Sequence, residues 1–229
     1  MNRVLIARMN ADRSSTEEFN RWYNGAHMKQ ASSIPGYGPN HRRYQAQAFT
    51  PGNSHWPYRP HPEYTAIYEI KPETDLLRAI NSDEYRAWSG DFLAQWRDRT
   101  SNEVSVLCDQ VMGADTPISS DTVIIAQMNV PAEAGDEFVQ WYSREHAPRA
   151  ESIPHLGNDH RLFRSLELEG KYWHYRPNPQ FTAIHEIRSG ADIDTMLASP
   201  EFQDWIRALT NRGTATDDYE IVTICRRIY

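Results

Sequence analysis

The sequence predicts an α+β fold made of two tandem β-α-β-β-α-β units, one in each half of the chain. Two observations predict it: an internal repeat and the alternation of strand and helix periods inside each copy. Val4-Leu5-Ile6-Ala7-Arg8-Met9-Asn10 returns as Val123-Ile124-Ile125-Ala126-Gln127-Met128-Asn129. Glu18-Phe19-Asn20-Arg21-Trp22-Tyr23 returns as Glu137-Phe138-Val139-Gln140-Trp141-Tyr142. An offset of 119 residues relates these segments, and also His27 to His146 and His41 to His160. From Trp56-Pro57-Tyr58-Arg59-Pro60 and Trp173-His174-Tyr175-Arg176-Pro177 onward the offset is 117, and it carries Cys108 onto Cys225. A unit of about 115 residues is too long for a solenoid repeat and is the size of a small domain.

In the first copy, Val4, Ile6 and Arg8 alternate with Leu5, Ala7 and Met9, a short apolar run expected of a strand covered on both faces. Ser14-Ser15-Thr16 then offers hydroxyl N-caps, with Glu17 and Glu18 in the first helical turn. Phe19, Trp22, Tyr23 and Ala26 recur at spacings of three and four, so that helix face is expected to be buried. Ile34-Pro35-Gly36, and Ile153-Pro154-His155 in the second copy, end the helix. A second strand is expected over Asn40–Ala48 and a third over Tyr64–Ile70, with a proline-rich loop between them. A second helical region breaks at Asn81-Ser82-Asp83, matched by Ala198-Ser199-Pro200, where a serine cap precedes proline at the first helical position. Val104–Met112 closes the copy. This order is the ferredoxin-like arrangement, whose helices cover one sheet face and leave the other for a partner. Residues 1–112 and 122–229 are read as the two units, with 113–121 as the linker.

A formal charge of −7 without a run of Lys or Arg argues against nucleic acid as a partner. No stretch is long and apolar enough for a signal peptide or a membrane span, so the expected location is the cytoplasm. The two cysteines fall at equivalent strand ends and read as buried, inert thiols.

Glu18-Phe19-x-x-Trp22-Tyr23-x-x-x-His27 and Glu137-Phe138-x-x-Trp141-Tyr142-x-x-x-His146-x-Pro148 resemble the helix motif of the EthD-like branch of the dimeric α/β barrel superfamily. The resemblance implies two ferredoxin-like units joined sheet to sheet into one barrel with helices outside, fused here in a single chain. It implies a range of activities: cyclases, decarboxylases, dehydratases and isomerases on small aromatic or lactone compounds, cofactor-independent oxygenases, haem enzymes, and proteins without known activity. The first copy departs from the motif, with Lys29 where the second keeps Pro148 and with Gly25 inside the helix, so a working site is expected first in the second copy.

His27 and His146 follow Tyr23 and Tyr142 by one turn, where an imidazole can shuttle protons near neutral pH or simply cap a helix end. His41 and His160 open strand two, each followed by an arginine. Alternation sends His41 and Arg42, and His160 and Arg161, to opposite sheet faces. Arg42 and Arg161 can fix a substrate anion or pair with Glu69 and Glu186. His185 takes the place of Tyr68 and would join His146 and His160 in one unit; that spacing matches no compact metal motif, and no metal or other cofactor is assigned. The Trp-x-Tyr-Arg-Pro-x-Pro segments offer Trp56, Tyr58, Trp173 and Tyr175 either to line an aromatic pocket or to strap one half to the other. The leading expectation is a cofactor-independent lyase or cyclase acting on a small aromatic or polyketide-like carbonyl compound. In it His146 and His27 transfer protons, His160 and His41 assist, and Trp141, Tyr142, Trp22 and Tyr23 shape the pocket. The alternatives are a non-catalytic ligand-binding or stress-associated barrel and a haem-dependent or cofactor-free oxygenase. A fused pair can be complete as a monomer, and a further homodimer stays open.

Overall fold

The computed structural model describes residues 2–48, 61–212 and 221–229. Eight strands form a closed antiparallel barrel. The first half contributes β1 (Arg3–Ala11), β2 (Arg42–Ala46), β3 (Tyr64–Ile70) and β4 (Thr100–Met112). The second contributes β5 (Thr122–Met128), β6 (Leu156–Ser165), β9 (Phe181–Ile187) and β10 (Ile221–Arg227), with a small hairpin of β7 (Leu168–Glu169) and β8 (His174–Tyr175) between β6 and β9. Around the barrel the order is β1-β3-β2-β10-β5-β9-β6-β4. The halves are joined at two seams, β2 to β10 through Ala46 opposite Cys225, and β4 to β6 through Cys108 opposite Ser165.

Period-two alternation decides which side chains enter the barrel. Val4 and Ile6 point inward and meet Ile67, Val106, Val123, Ile125, Phe163 and Ile184, a core drawn from both halves. Leu5, Ala7 and Met9 point outward beneath the helices. Each half thus covers the sheet face that the other's helices leave bare. At the centre Arg8, fully buried, donates to Thr65 Oγ1 (3.1 Å), Gln127 Oε1 (2.8 Å) and Thr223 Oγ1 (2.8 Å). Arg8 and Gln127 hold the same place in the repeat, so equivalent positions meet inside. Desolvation lowers the Arg8 pKa to about 10. Cys108 and Cys225 are free and buried, and burial raises both thiols, Cys108 to about 12, which keeps them protonated.

In the first half α1 (Thr16–Trp22), a π-helical turn (Tyr23–His27) and α2 (Met28–Ala31) run as one rod. The second half repeats it as α5 (Gly135–Trp141), a π-turn (Tyr142–His146) and α6 (Ala147–Arg149). A continuous α-helix was the sequence expectation. Instead the Met28 N–H reaches back to the Tyr23 carbonyl and the Ala147 N–H to that of Tyr142, one residue farther than in an α-helix. The expected hydroxyl caps are also absent from α1: Ser15 and Thr16 donate to the Asp12 carbonyl rather than accept from the helix. The second helical region is α3 (Leu76–Ile80) and α4 (Asp83–Trp96) in one half, α7 (Ile193–Ala198) and α8 (Pro200–Arg212) in the other. Its caps form as the sequence implies, Ser82 Oγ accepting from Tyr85 N and Ser199 Oγ from Phe202 N.

Candidate functional site

In both halves the π-turn places a histidine between two tryptophans. Its wider ring brings residues five apart over one another, so Trp22 stacks on His27 with centroids 4.6 Å apart. Trp88 of α4 covers the other face at 4.6 Å and 14°, and its indole donates to the His27 carbonyl (3.1 Å). His146 sits likewise between Trp141 (4.9 Å) and Trp205 (4.6 Å, 13°), with the Trp205 indole on its carbonyl (3.0 Å). Neither imidazole caps the helix. His27 Nδ1 and both ring nitrogens of His146 are buried without a partner. Burial, with Arg43 adding to it, lowers the His27 pKa to about 3; burial, then Arg149 and His160, does the same to His146. Both rings are therefore neutral at pH 7. The partner tryptophans Trp88 and Trp205 were not singled out from the sequence, although the 117-residue offset relates them.

Beyond this shared clamp the halves differ. In the first, the Tyr68 hydroxyl donates to Tyr23 (2.7 Å). His41 accepts from or donates to Ser32 Oγ at 3.2 Å, leaves Nδ1 without a partner, and lies 5.3 Å from the Tyr68 ring. In the second, Tyr142 bonds His185 Nε2 (2.8 Å) and His185 Nδ1 bonds His160 Nδ1 (3.0 Å). Neutral rings satisfy both bonds when Tyr142 donates to His185 and His185 to His160. The reverse order strands the Tyr142 proton. The His160 proton then rests on Nε2, a buried N–H without a partner. His146, His160 and His185 do share one unit, yet among the described residues no group of three His, Cys, Asp or Glu side chains is placed to hold a metal ion. Desolvation lowers the pKa values of His160 and His41 to about 4 and pushes that of His185 well down.

A cavity of about 40 Å³ opens beside the clamp in the first half. Its floor is Leu5, Ala7 and Met9 of β1, and its walls include Tyr23, His27, Tyr85 and Trp88. Trp173 and Tyr175 complete it from the second half. The β7–β8 hairpin carries them there: Tyr175 is buried in the first half's core, its hydroxyl bonds that of Tyr85, and the Lys171 N–H reaches Asn81 Oδ1 (2.5 Å). This segment therefore lines a pocket and straps the halves together at once. Trp56 and Tyr58, its counterparts, lie outside the described residues.

Arg42 and Arg161 are not brought to the histidines. Both line a second recess of about 40 Å³ at one end of the barrel, across the sheet from the clamps. Arg161 forms a buried ion pair with Glu186 (2.5 Å), and Arg42 donates to the Ile118 and His41 carbonyls. For Arg161, which the sequence offered as an anion holder or as a partner of Glu186, the structure takes the second course.

No family model and no curated protein matches the chain. Solved structures match its fold. An anthrone oxidase-like protein aligns over 100% of this chain and 92% of its own, at 10% identity and a TM-score of 0.60. A candidate monooxygenase from Fusobacterium nucleatum subsp. nucleatum aligns over 100% and 93%, at 12% identity and 0.59. An EthD family protein from Bacillus halodurans aligns over 46% of this chain and 96% of its own, at 17% identity and 0.35. The chain has the dimeric α/β barrel fold. That agrees with the resemblance of its repeated helix motif. Among the described residues no helix is long and apolar enough to cross a membrane.

Proposed function

We propose that the protein is an enzyme that binds a small aromatic or polyketide-like carbonyl compound in the first-half pocket, with His27 moving the proton. One observation carries this reading: the His27 ring lines the cavity, is fixed between Trp22 and Trp88, and has a buried nitrogen with no protein partner. In the empty pocket the imidazole is neutral and a weak base. An enolate forming beside it supplies the opposite charge that raises its basicity as the proton moves. The imidazole takes a proton from the carbon next to the carbonyl, in a cavity that Tyr23, Tyr85 and Tyr175 also line. The enolate then expels a β-hydroxyl, which leaves as water with the returned proton, or closes on a second carbonyl. These outcomes are the lyase and cyclase reactions.

The likeness in fold to an anthrone oxidase-like protein favours a second reading, in which the same carbanion meets dioxygen without a cofactor. Both readings share the first step. An apolar cavity on the order of 150 Å³ admits one benzene ring, so substrate entry requires the half-exposed Trp173 and its hairpin to swing outward. We also read residues 1–112 and 122–229 as two ferredoxin-like units, supported by the order β4-β1-β3-β2 in one half and β10-β5-β9-β6 in the other.

The test is exchange of the acidic C–H of anthrone- and tetralone-type ketones for deuterium, followed by NMR in heavy water. Protein-dependent exchange that His27→Ala abolishes is the expected result. Exchange equal to that in buffer would return the chain to the non-catalytic binding reading. Oxygen consumption in the same samples separates the oxygenase from the lyase.

A further inference from the structure

Arg43 is a buried cation with too few partners. Alternation on β2 turns Arg42 and Tyr44 to the barrel side and Arg43 to the helix side, where it is fully buried. Its guanidinium packs on the rings of Tyr23, Tyr64 and Phe19, 4.3, 4.5 and 5.0 Å from their centroids. Of its three nitrogens only Nη1 is hydrogen-bonded, donating to Asn24 Oδ1 at 2.9 Å; Nε and Nη2 are buried without a partner. Among the described residues it forms no ion pair. Glu63, whose field it feels, accepts from Gln45. Aromatic faces offset part of the desolvation of a cation, but they leave its N–H groups unused.

The fold does not require this charge. The same place in the second half is Leu162, which sits in an apolar core. Tyr23 joins Arg43 to the pocket, since its ring contacts the guanidinium and also forms part of the cavity wall beside His27. We propose that Arg43 makes the first-half pocket selective for compounds bearing a carboxylate or phenolate. It acts as a specificity-determining residue, positioned through Tyr23, and not as a catalytic one. The inference rests on the pocket assigned above and is independent of proton transfer by His27.

The experiment titrates the full chain calorimetrically with 2-naphthoate and with 2-naphthamide, which share a shape and differ in charge. Naphthoate is expected to bind about tenfold more tightly, the scale of a charge attraction acting across one intervening ring. Arg43→Lys should keep the preference. Arg43→Leu should remove it while leaving naphthamide affinity unchanged; Leu162 shows that an apolar residue is accommodated there, and Arg43→Met serves as the second variant. Equal binding of the two probes, or a preference that survives in Arg43→Leu and Arg43→Met, overturns charge selection and leaves the pocket standing. Binding of neither probe overturns the pocket and this proposal together. Naphthoate selection without ketone exchange removes the His27 chemistry alone.

Discussion

The two halves wrap one clamp around different surroundings. Each holds a neutral histidine between two tryptophans on a π-turn. In the second half its surroundings include the Tyr142-His185-His160 chain and the apolar Leu162. In the first, the corresponding places carry Tyr68, His41 and an under-partnered Arg43, and a cavity opens. The clamp therefore belongs to the fold. The charge beside it, Arg43 against Leu162, distinguishes a candidate site from its copy.

Acid should separate the halves most strongly. His27, His41, His146, His160 and His185 all have folded pKa values below the ordinary 6.5. Below pH 6.5 the unfolded chain takes up protons that the folded chain refuses, so stability is full above that pH. It falls as pH drops toward the folded values, by about 1.4 kcal/mol per pH unit for each histidine. Three of the five lie in the second half. Hydrogen exchange between pH 6.5 and 4.5 should expose β6 and β9 before β2 and β3, and simultaneous loss would break the comparison.

For catalysis, His27→Ala should slow ketone exchange by about 10²- to 10⁴-fold, whereas His146→Ala should leave it nearly unchanged; equal losses would mean that both halves work. Arg161→Met, which strands Glu186 in the interior, should cost about 3–5 kcal/mol in denaturant unfolding. Arg42→Met, which breaks only bonds to carbonyls at a half-buried site, should cost about 1 kcal/mol. Burial alone would raise the Glu186 carboxyl, but its bonds from Arg161, Ser120 and Ser119 bring it below 4.5, so the Arg161 contribution fades only as pH falls below that range. Arg43→Leu should leave stability unchanged or raise it by up to about 4 kcal/mol, since an unpaired charge gives way to an apolar side chain. The smallest effect concerns His155, which holds φ 66° where the first half has Gly36 at 84°. His155→Gly should stabilise by about 1 kcal/mol in a melting experiment.

The repeat and the strand alternation made the mutual cover of the two halves legible, because an apolar run such as Val4–Met9 needs cover on both faces and a duplicated chain supplies it; the barrel itself was implied by the resemblance of the helix motif. The histidine relay was legible in part: His160 and His185 take adjacent places on paired strands, and alternation set His160 apart from Arg161. The π-turns were not, because Phe19, Trp22, Tyr23 and Ala26 keep the spacings of three and four of a helix, and the five-residue step from Trp22 to His27 carries no signal of its own in the sequence. Nor was Arg43. Its signal is a single charged residue at a place where the repeat carries Leu162, and its meaning depends on how many of its nitrogens find partners, which only three-dimensional placement decides.

The hairpin Leu168–Tyr175 gives one half's pocket a wall made by the other half. In a pair of identical subunits every substitution is made twice, so a charge introduced beneath one clamp is introduced beneath both. Covalent linkage ends that obligation. It also holds the borrowed wall at a fixed effective concentration, so the pocket survives any dilution of the protein. One copy is then free to change its chemistry while the other goes on supplying scaffold.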